Sequence, residues 1–277
     1  MPVAARKDFE RRQRRWADAA GVAYDARGYV RELAANCWRP PGGATLAEIE
    51  RGSELTPGRS TPPRMWSLGS SAALVTNVFD YWRGRDNAPL VAALGLAGGA
   101  AKLSFEEPLP TGLEGEPPLA DVALRWPSGR VAAIESKFGE WLVRRPRNKA
   151  VFKTKYFPPG SAVWADAGLV RCQAVAAAIQ HGRERFKFLH AAQLLKHVLG
   201  LARSGASSYE LGYLYYDWPG RESDAHRAEL ERLAALLRPE IDLRVLTYQA
   251  LFRGLRAEPS AAADYCHYLA QRYFPAR

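Results

Sequence analysis

Cysteine is scarce in this chain: Cys37, Cys172 and Cys266 are the three in 277 residues. They are far apart and odd in number, and no CxxC pair exists. A structural zinc site of that type is therefore not expected, nor is a disulfide framework. A reducing cytoplasm fits this usage. Long apolar runs are also missing. Nothing approaches the roughly 20 residues that a spanning helix needs, and no apolar signal core follows the basic start MPVAARKDFERRQRRW. The expectation is a soluble, cytoplasmic protein with no membrane partner. No GxxxxGK(S/T) loop is present, which argues against ATP coupling within the chain. The absence of a GxSxG elbow argues against an α/β-hydrolase. There is no internal repeat and no long low-complexity tract.

Acidic residues are outnumbered, 29 against 39 Lys and Arg, for a formal charge of +10. A basic balance suits polyanionic partners, namely nucleic acid or an anionic membrane surface. Arg excess in an Ala/Arg/Gly-rich chain also follows from genomic base composition, so charge alone does not decide. The apolar and charged fractions, 47% and 25%, are ordinary for a globular protein and exclude disorder as the default.

Residues 7–20 read as a very basic helix ending at Gly21, and 27–38 as a second helix stopping before Pro40-Pro41. Residues 52–66 read as loop. The run 70–82, SSAALVTNVFDYW, has apolar residues at helical spacing, with Ser70 or Ser71 as cap. A short helix near 87–96 follows. The pattern then changes period. Residues 101–107 alternate like a strand, 108–118 are Pro- and Gly-rich loop, and 119–125 and 130–138 read as two strands. Trp126-Pro127-Ser128-Gly129 between them has hairpin-turn chemistry. Helices are expected at 168–181, 190–203, 222–237, 248–256 and 260–273, with strands at 209–217 and 241–247. The fold class is α/β, a mixed sheet flanked by helices. We expect one domain over 1–277, with a helical extension at 1–66, a core at 67–217 and a C-terminal α/β elaboration at 218–277.

The chemistry concentrates in PPLADVALRWPSGRVAAIESKF, residues 117–138. One strand carries Asp121, and the next carries Glu135-Ser136-Lys137. Strands joined by a tight turn lie about 5 Å apart, so the acids can converge. Side-chain alternation puts Glu135 and Lys137 on one face and Ile134, Ser136 and Phe138 on the other. Burying two carboxylates and an ammonium among Ala, Val and Ile is costly unless they pair or hold metal. Hard oxygens from Asp121, Glu135 and the Ser136 carbonyl suit Mg²⁺. Lys137 would orient a hydroxide or stabilise transition-state charge. The plainer reading is a cross-strand ion pair, and the bare spacing does not separate the two.

This stretch resembles the PD-(D/E)XK nuclease superfamily. Pro118-Leu119-Ala120-Asp121 stands at the P-D element, with the proline displaced from the aspartate, and Glu135-Ser136-Lys137 stands at ExK. Gly52-Ser53-Glu54-Leu55, Ser70-Ser71-Ala72-Ala73-Leu74, Asn77-Val78-Phe79, Phe105-Glu106 and Ile134 to Phe138 look like a group of bacterial restriction-endonuclease-like proteins. The resemblance implies an αβββαβ core and an Mg²⁺ site, with Mn²⁺ able to substitute, acting on DNA, duplex DNA first. It also implies a further acid. Glu106 is preferred and Glu54 is the runner-up, each against a plain strand-end or loop charge. Gln173, on the helix after ExK, would reach water or phosphate, or be an ordinary polar residue.

Arg144, Arg145, Arg147, Lys149, Lys153 and Lys155, interleaved with Phe152, Tyr156 and Phe157, suit phosphates and bases. A solvated basic loop is the competing reading. Arg11, Arg12, Arg14 and Arg15 read as a solvated helix face. His190 and His197 read as core or surface positions, since no acidic partner has the right spacing. Tyr213, Tyr215, Tyr216 and Trp218 read as sheet packing. The leading expectation is a metal-dependent DNA endonuclease, with room for a homodimer. The alternative is a catalytically inactive nucleic-acid-binding protein of the same fold.

Overall fold

The structure, a computed structural model, describes residues 4–143 and 151–275. Four helices precede the sheet: α1 (Ala4–Ala19), α2 (Gly43–Arg51), α3 (Ser71–Phe79) and α4 (Ala88–Ala93). The Ser70 hydroxyl caps α3 by accepting from the Ala73 amide at 3.1 Å. No helix forms over 27–38; only a single turn, Leu33–Asn36, is helical there. Tertiary pairing overrides local propensity in this stretch. Tyr29 bridges to Ser67, Tyr24 bridges to Val30, and the Asn36 carbonyl accepts from Asn77 and Arg272. Helix α2 lies where no element was expected. Its Glu48 accepts from the Phe105 amide at 2.9 Å and from Arg83, which fixes α2 against the first strand.

Three antiparallel strands follow: β1 (Lys102–Pro108), β2 (Leu119–Arg125) and β3 (Val131–Lys137). The β2–β3 turn closes through Trp126 N donating to Arg130 O and Gly129 N to Trp126 O, both at 3.0 Å. Gly129 sits there at φ 83°, a conformation open to glycine at little cost. Then come α5 (Val170–Gln180), α6 (Ala191–Ala202), β4 (Tyr209–Tyr215), α7 (Arg221–Leu237) and β5 (Leu243–Thr247). Helices α8 (Tyr248–Ala257) and α9 (Ala263–Tyr273) complete the order. Strand β4 is parallel to β3 and β5 is parallel to β4, in the order β1-β2-β3-β4-β5. Parallel neighbours need a crossover. Here α5 and α6 supply one and α7 the other. The sheet thus draws its fifth strand from residues beyond 217.

The strands alternate as their sequence dictates. Ser136 Oγ shares a 2.6 Å hydrogen bond with Tyr248 Oη on α8, so α8 covers that face. Helix α6 brings His197 to the opposite face, beside Glu135, and α7 brings His226 to Tyr213. Helix α1 belongs to the same core. Phe9 packs edge-on against Phe138 at 4.8 Å and Trp218 at 5.3 Å, directly behind the end of β3. Among the described residues, no helix is long and apolar enough to cross a membrane.

Candidate active centre

Strand register sets the centre. Phe105 pairs with Val122 and Glu107 with Ala120, so Glu106 stands opposite Asp121. Val122 pairs with Ile134, and continuing that register places Asp121 opposite Glu135. Three carboxylates are therefore level across three adjacent strands. Asp121 Oδ2 accepts from the Ser136 amide at 2.6 Å, which fixes the carboxylate between β2 and β3. Lys137 Nζ pairs with Glu135 Oε1. Both side chains lie on the face that alternation assigned to them.

Glu106 is held at φ 42°, outside the strand region for a residue with a Cβ. Ser53 is the other non-glycine residue with positive φ among those described, at 57°. It lies in the Gly52–Glu54 bend, which faces Glu106. Backbone strain of this kind costs about 1–3 kcal/mol per residue and collects at functional sites. Arg51 donates to the carbonyls of Phe105 (2.9 Å) and Glu106 (3.2 Å), tying the bend to β1. Glu54, paired with Arg64 at 2.9 Å, carries a fourth carboxylate toward Asp121.

These acids raise one another's pKa. Burial is the largest cause for Glu106, followed by Asp121, Glu54 and Glu135, and together they push it up to about 9. Burial, then Glu135, lifts Asp121 to about 7. Glu135 and Glu54 are also raised, mainly by burial. Burial works against the Lys137 ammonium, but Glu135, Asp121 and Glu140 outweigh it and hold its pKa well above the ordinary value. The centre thus has more acid than its one lysine balances.

His197 sits fully buried with Nδ1 3.5 Å from Glu135 Oε2. Burial drives its pKa down to about 4, so the ring is neutral at pH 7. The acidic partner that its own helix lacks comes from β3. Among the described residues, no three or more His, Cys, Asp or Glu side chains form a ready-made ligand set. Glu135 is paired with Lys137 instead.

Other sequence candidates lie elsewhere. The Gln173 carboxamide accepts from the Trp164 amide at 3.0 Å, which is a structural use. Arg144, Arg145, Arg147 and Lys149 fall outside the described residues. Lys153 is exposed, while Lys155 donates to the Glu114 and Glu116 carbonyls and pins the 108–118 loop. Phe152 and Tyr156 are 2% and 3% exposed and pack on Trp164, so they are core rather than a stacking platform. Tyr213, Tyr215, Tyr216 and Trp218 are buried as sheet packing.

Among known proteins, no curated sequence and no solved structure matches the chain. The family described as Restriction Endonuclease associating with ARP matches residues 5–274. That match spans all five strands, the Gly52–Glu54 bend and the acidic centre. The likeness to restriction-endonuclease-like proteins read from the sequence is thereby confirmed. The chain belongs to this restriction-endonuclease-like nuclease family.

Proposed function

We propose that the protein is a divalent-metal-dependent phosphodiesterase of the PD-(D/E)XK type that cuts DNA, duplex DNA first, with Mg²⁺ as its ion and Mn²⁺ able to substitute. The observation that carries this reading is the level row of Glu106, Asp121 and Glu135 beside Lys137. The element order from α3 through β1–β3 and the crossover helices to β4 supports an αβββαβ core of restriction-endonuclease type.

The donors fit a hard cation. Asp121, Glu135 and Glu106 offer carboxylate oxygens, and the Ser136 carbonyl offers one more. Their mutual repulsion is relieved by positive charge at the centre, and Glu135 Oε2 has no hydrogen-bond partner to compete for it. The ion, when bound, supplies charge neutralisation at the scissile phosphate and a more acidic water. The chain's own groups do the rest. The Ser136 amide fixes the direction of Asp121. Burial and its acidic neighbours raise the Glu106 pKa to about 9, and a cation held beside it would favour its ionised form. The side chain of Lys137 is 17% exposed and permanently charged, placed to donate to a phosphate oxygen or to orient the attacking water.

A specific observation favours a second reading. The Lys137–Glu135 pair closes one ligand oxygen, as in a nuclease fold that only binds nucleic acid. Two measurements separate the readings. Calorimetry with Mn²⁺ reports whether Asp121 and Glu135 take up metal. Cleavage of duplex DNA, single strands and RNA in Mg²⁺ reports chemistry. Loss of cleavage in Asp121→Asn and Lys137→Ala, with circular dichroism unchanged, supports the enzyme. Undiminished cutting by both variants removes it.

A further inference from the structure

Beyond the end of β3, α1 and α9 diverge around a groove of about 550 Å³. Its floor is the buried Trp218, Arg272 and Tyr273, and its α1 wall carries Arg12, Arg15 and Trp16. A second groove of about 460 Å³ continues from it, sharing Arg12 and Pro275 and adding Arg253 and Arg256 of α8.

Among the described residues, the first groove has no acid in its lining. The acid of the second, Asp217, is engaged by Arg227 at 3.0 Å. Arg15, Arg253 and Arg256 are exposed and make no ion pair among the described residues. Elsewhere many arginines of this chain do find a carboxylate, such as Arg83 with Glu48 and Arg125 with Glu107. Arg12, which joins the two grooves, pairs with Asp8 at 3.1 Å, but three arginines without an ion pair along a concave path suit an extended anion.

Charge is not the whole of it. The Arg272 guanidinium lies 4.1 Å from the ring of the half-buried Trp16, and Arg12 lies 5.1 Å from Trp218. Trp218 is 1% exposed and serves as floor, so the half-buried Trp16 is the aromatic surface left to meet a planar ring. Gln13 and Arg272, each 3% exposed, leave Gln13 Oε1 and Arg272 Nε without hydrogen-bond partners. Both residues line this groove. Both atoms are buried, so they belong to the groove's floor rather than to its open surface. Exposed cations beside an aromatic face suit the phosphate and base of a nucleotide.

We propose that this groove binds nucleotide units of a single-stranded nucleic acid. Its two consecutive compartments fit several units of a strand better than one free nucleotide. Trp218 Nε1 donates to the Phe138 carbonyl at 3.1 Å, which ties the groove floor to the end of β3. The site stands on its own residues and does not need the centre to be catalytic.

The test is anisotropy of a fluorescein-labelled eight-residue oligo(dT) with the full chain in EDTA, which removes metal from the question. Arg15→Glu and Arg253→Glu are each expected to weaken binding about ten-fold. Arg183→Glu, the same charge change at an exposed arginine outside the groove, is expected to stay within two-fold. An abasic oligonucleotide of equal length is expected to bind several-fold more weakly, because stacking is lost. Competition by dTMP distinguishes a free nucleotide from a strand: weak competition supports the strand, and competition equal to the oligonucleotide overturns it. Three other results overturn the proposal: no binding by the wild-type chain, equal losses in all three variants, or equal competition by poly-glutamate or by anionic phosphatidylserine vesicles.

Discussion

Gly52 faces the carboxylate of Glu106 with bare backbone: a Cβ at position 52 would stand 2.5 Å from Glu106 Cδ and Oε2. Gly52 has φ −79°, which any residue adopts, so this glycine is needed for space and not for conformation. Gly52→Ala is thus a steric probe of one carboxylate. We expect a folded protein with little change in melting temperature and about ten-fold weaker Mn²⁺ binding by calorimetry. Affinity equal to wild type would show that Glu106 is not part of the metal site.

Glu106→Gln should make the metal-free protein more stable. The folded pKa of about 9 lies above the ordinary carboxyl value of 4.5, so the folded state keeps its proton longer than the unfolded chain. Stability of the wild type therefore falls as pH rises from about 4.5 to about 9. The glutamine does not titrate, so its advantage is absent at pH 4 and grows to on the order of 1–3 kcal/mol by pH 8. Urea unfolding in EDTA at pH 5 and pH 8 measures this. An advantage over wild type no larger at pH 8 than at pH 5 would contradict it.

His226 gives the opposite slope. It is buried, stacked on Trp141 at 4.5 Å and bonded through Nε2 to Tyr213 Oη at 3.0 Å. Burial depresses its pKa from 6.5 to about 3. Its contribution is fully present above pH 6.5 and is lost as pH falls toward 3. At pH 5 the penalty is about 2 kcal/mol. Imidazole nitrogen shifts should show a neutral ring at pH 5; a protonated ring there would refute the assignment.

Phe9 tests whether α1 is integral to the centre. Its ring is 1% exposed against Phe138 and Trp218. Phe9→Ala should cost about 3–5 kcal/mol in urea unfolding. A loss under 1 kcal/mol would mean that α1 is only loosely attached.

Much of the centre was legible before any coordinates. Asp121, Glu135 and Lys137 sit on strands joined by a four-residue turn, so sequence proximity and two-residue alternation already place them together. Glu106 was the further acid that the family resemblance preferred. Glu54 was its runner-up on the same resemblance, whereas His197 reaches the centre on a crossover helix, and no local period records where such a segment lands. Residues 27–38 looked helical by pattern, yet their backbone groups pair with Ser67 and α9. Phe152 and Tyr156 looked exposed because lysines interleave them, but Trp164, reached only through the fold, covers both.

Strand β3 is gripped on both flanks, antiparallel to β2 and parallel to β4, with Ile134 matched to Val122 on one side and Gly212 on the other. A strand presents alternate residues to opposite faces, so a slip of one position inverts every assignment along it. Glu135 and Lys137 would then point toward Tyr248, and Ser136 would replace them among the acids. The length of the Trp126–Gly129 connection is therefore not free to drift by a single residue. An insertion there has to be absorbed as a bulge within β2 or β3, or the acidic centre is turned inside out while the sheet stays whole.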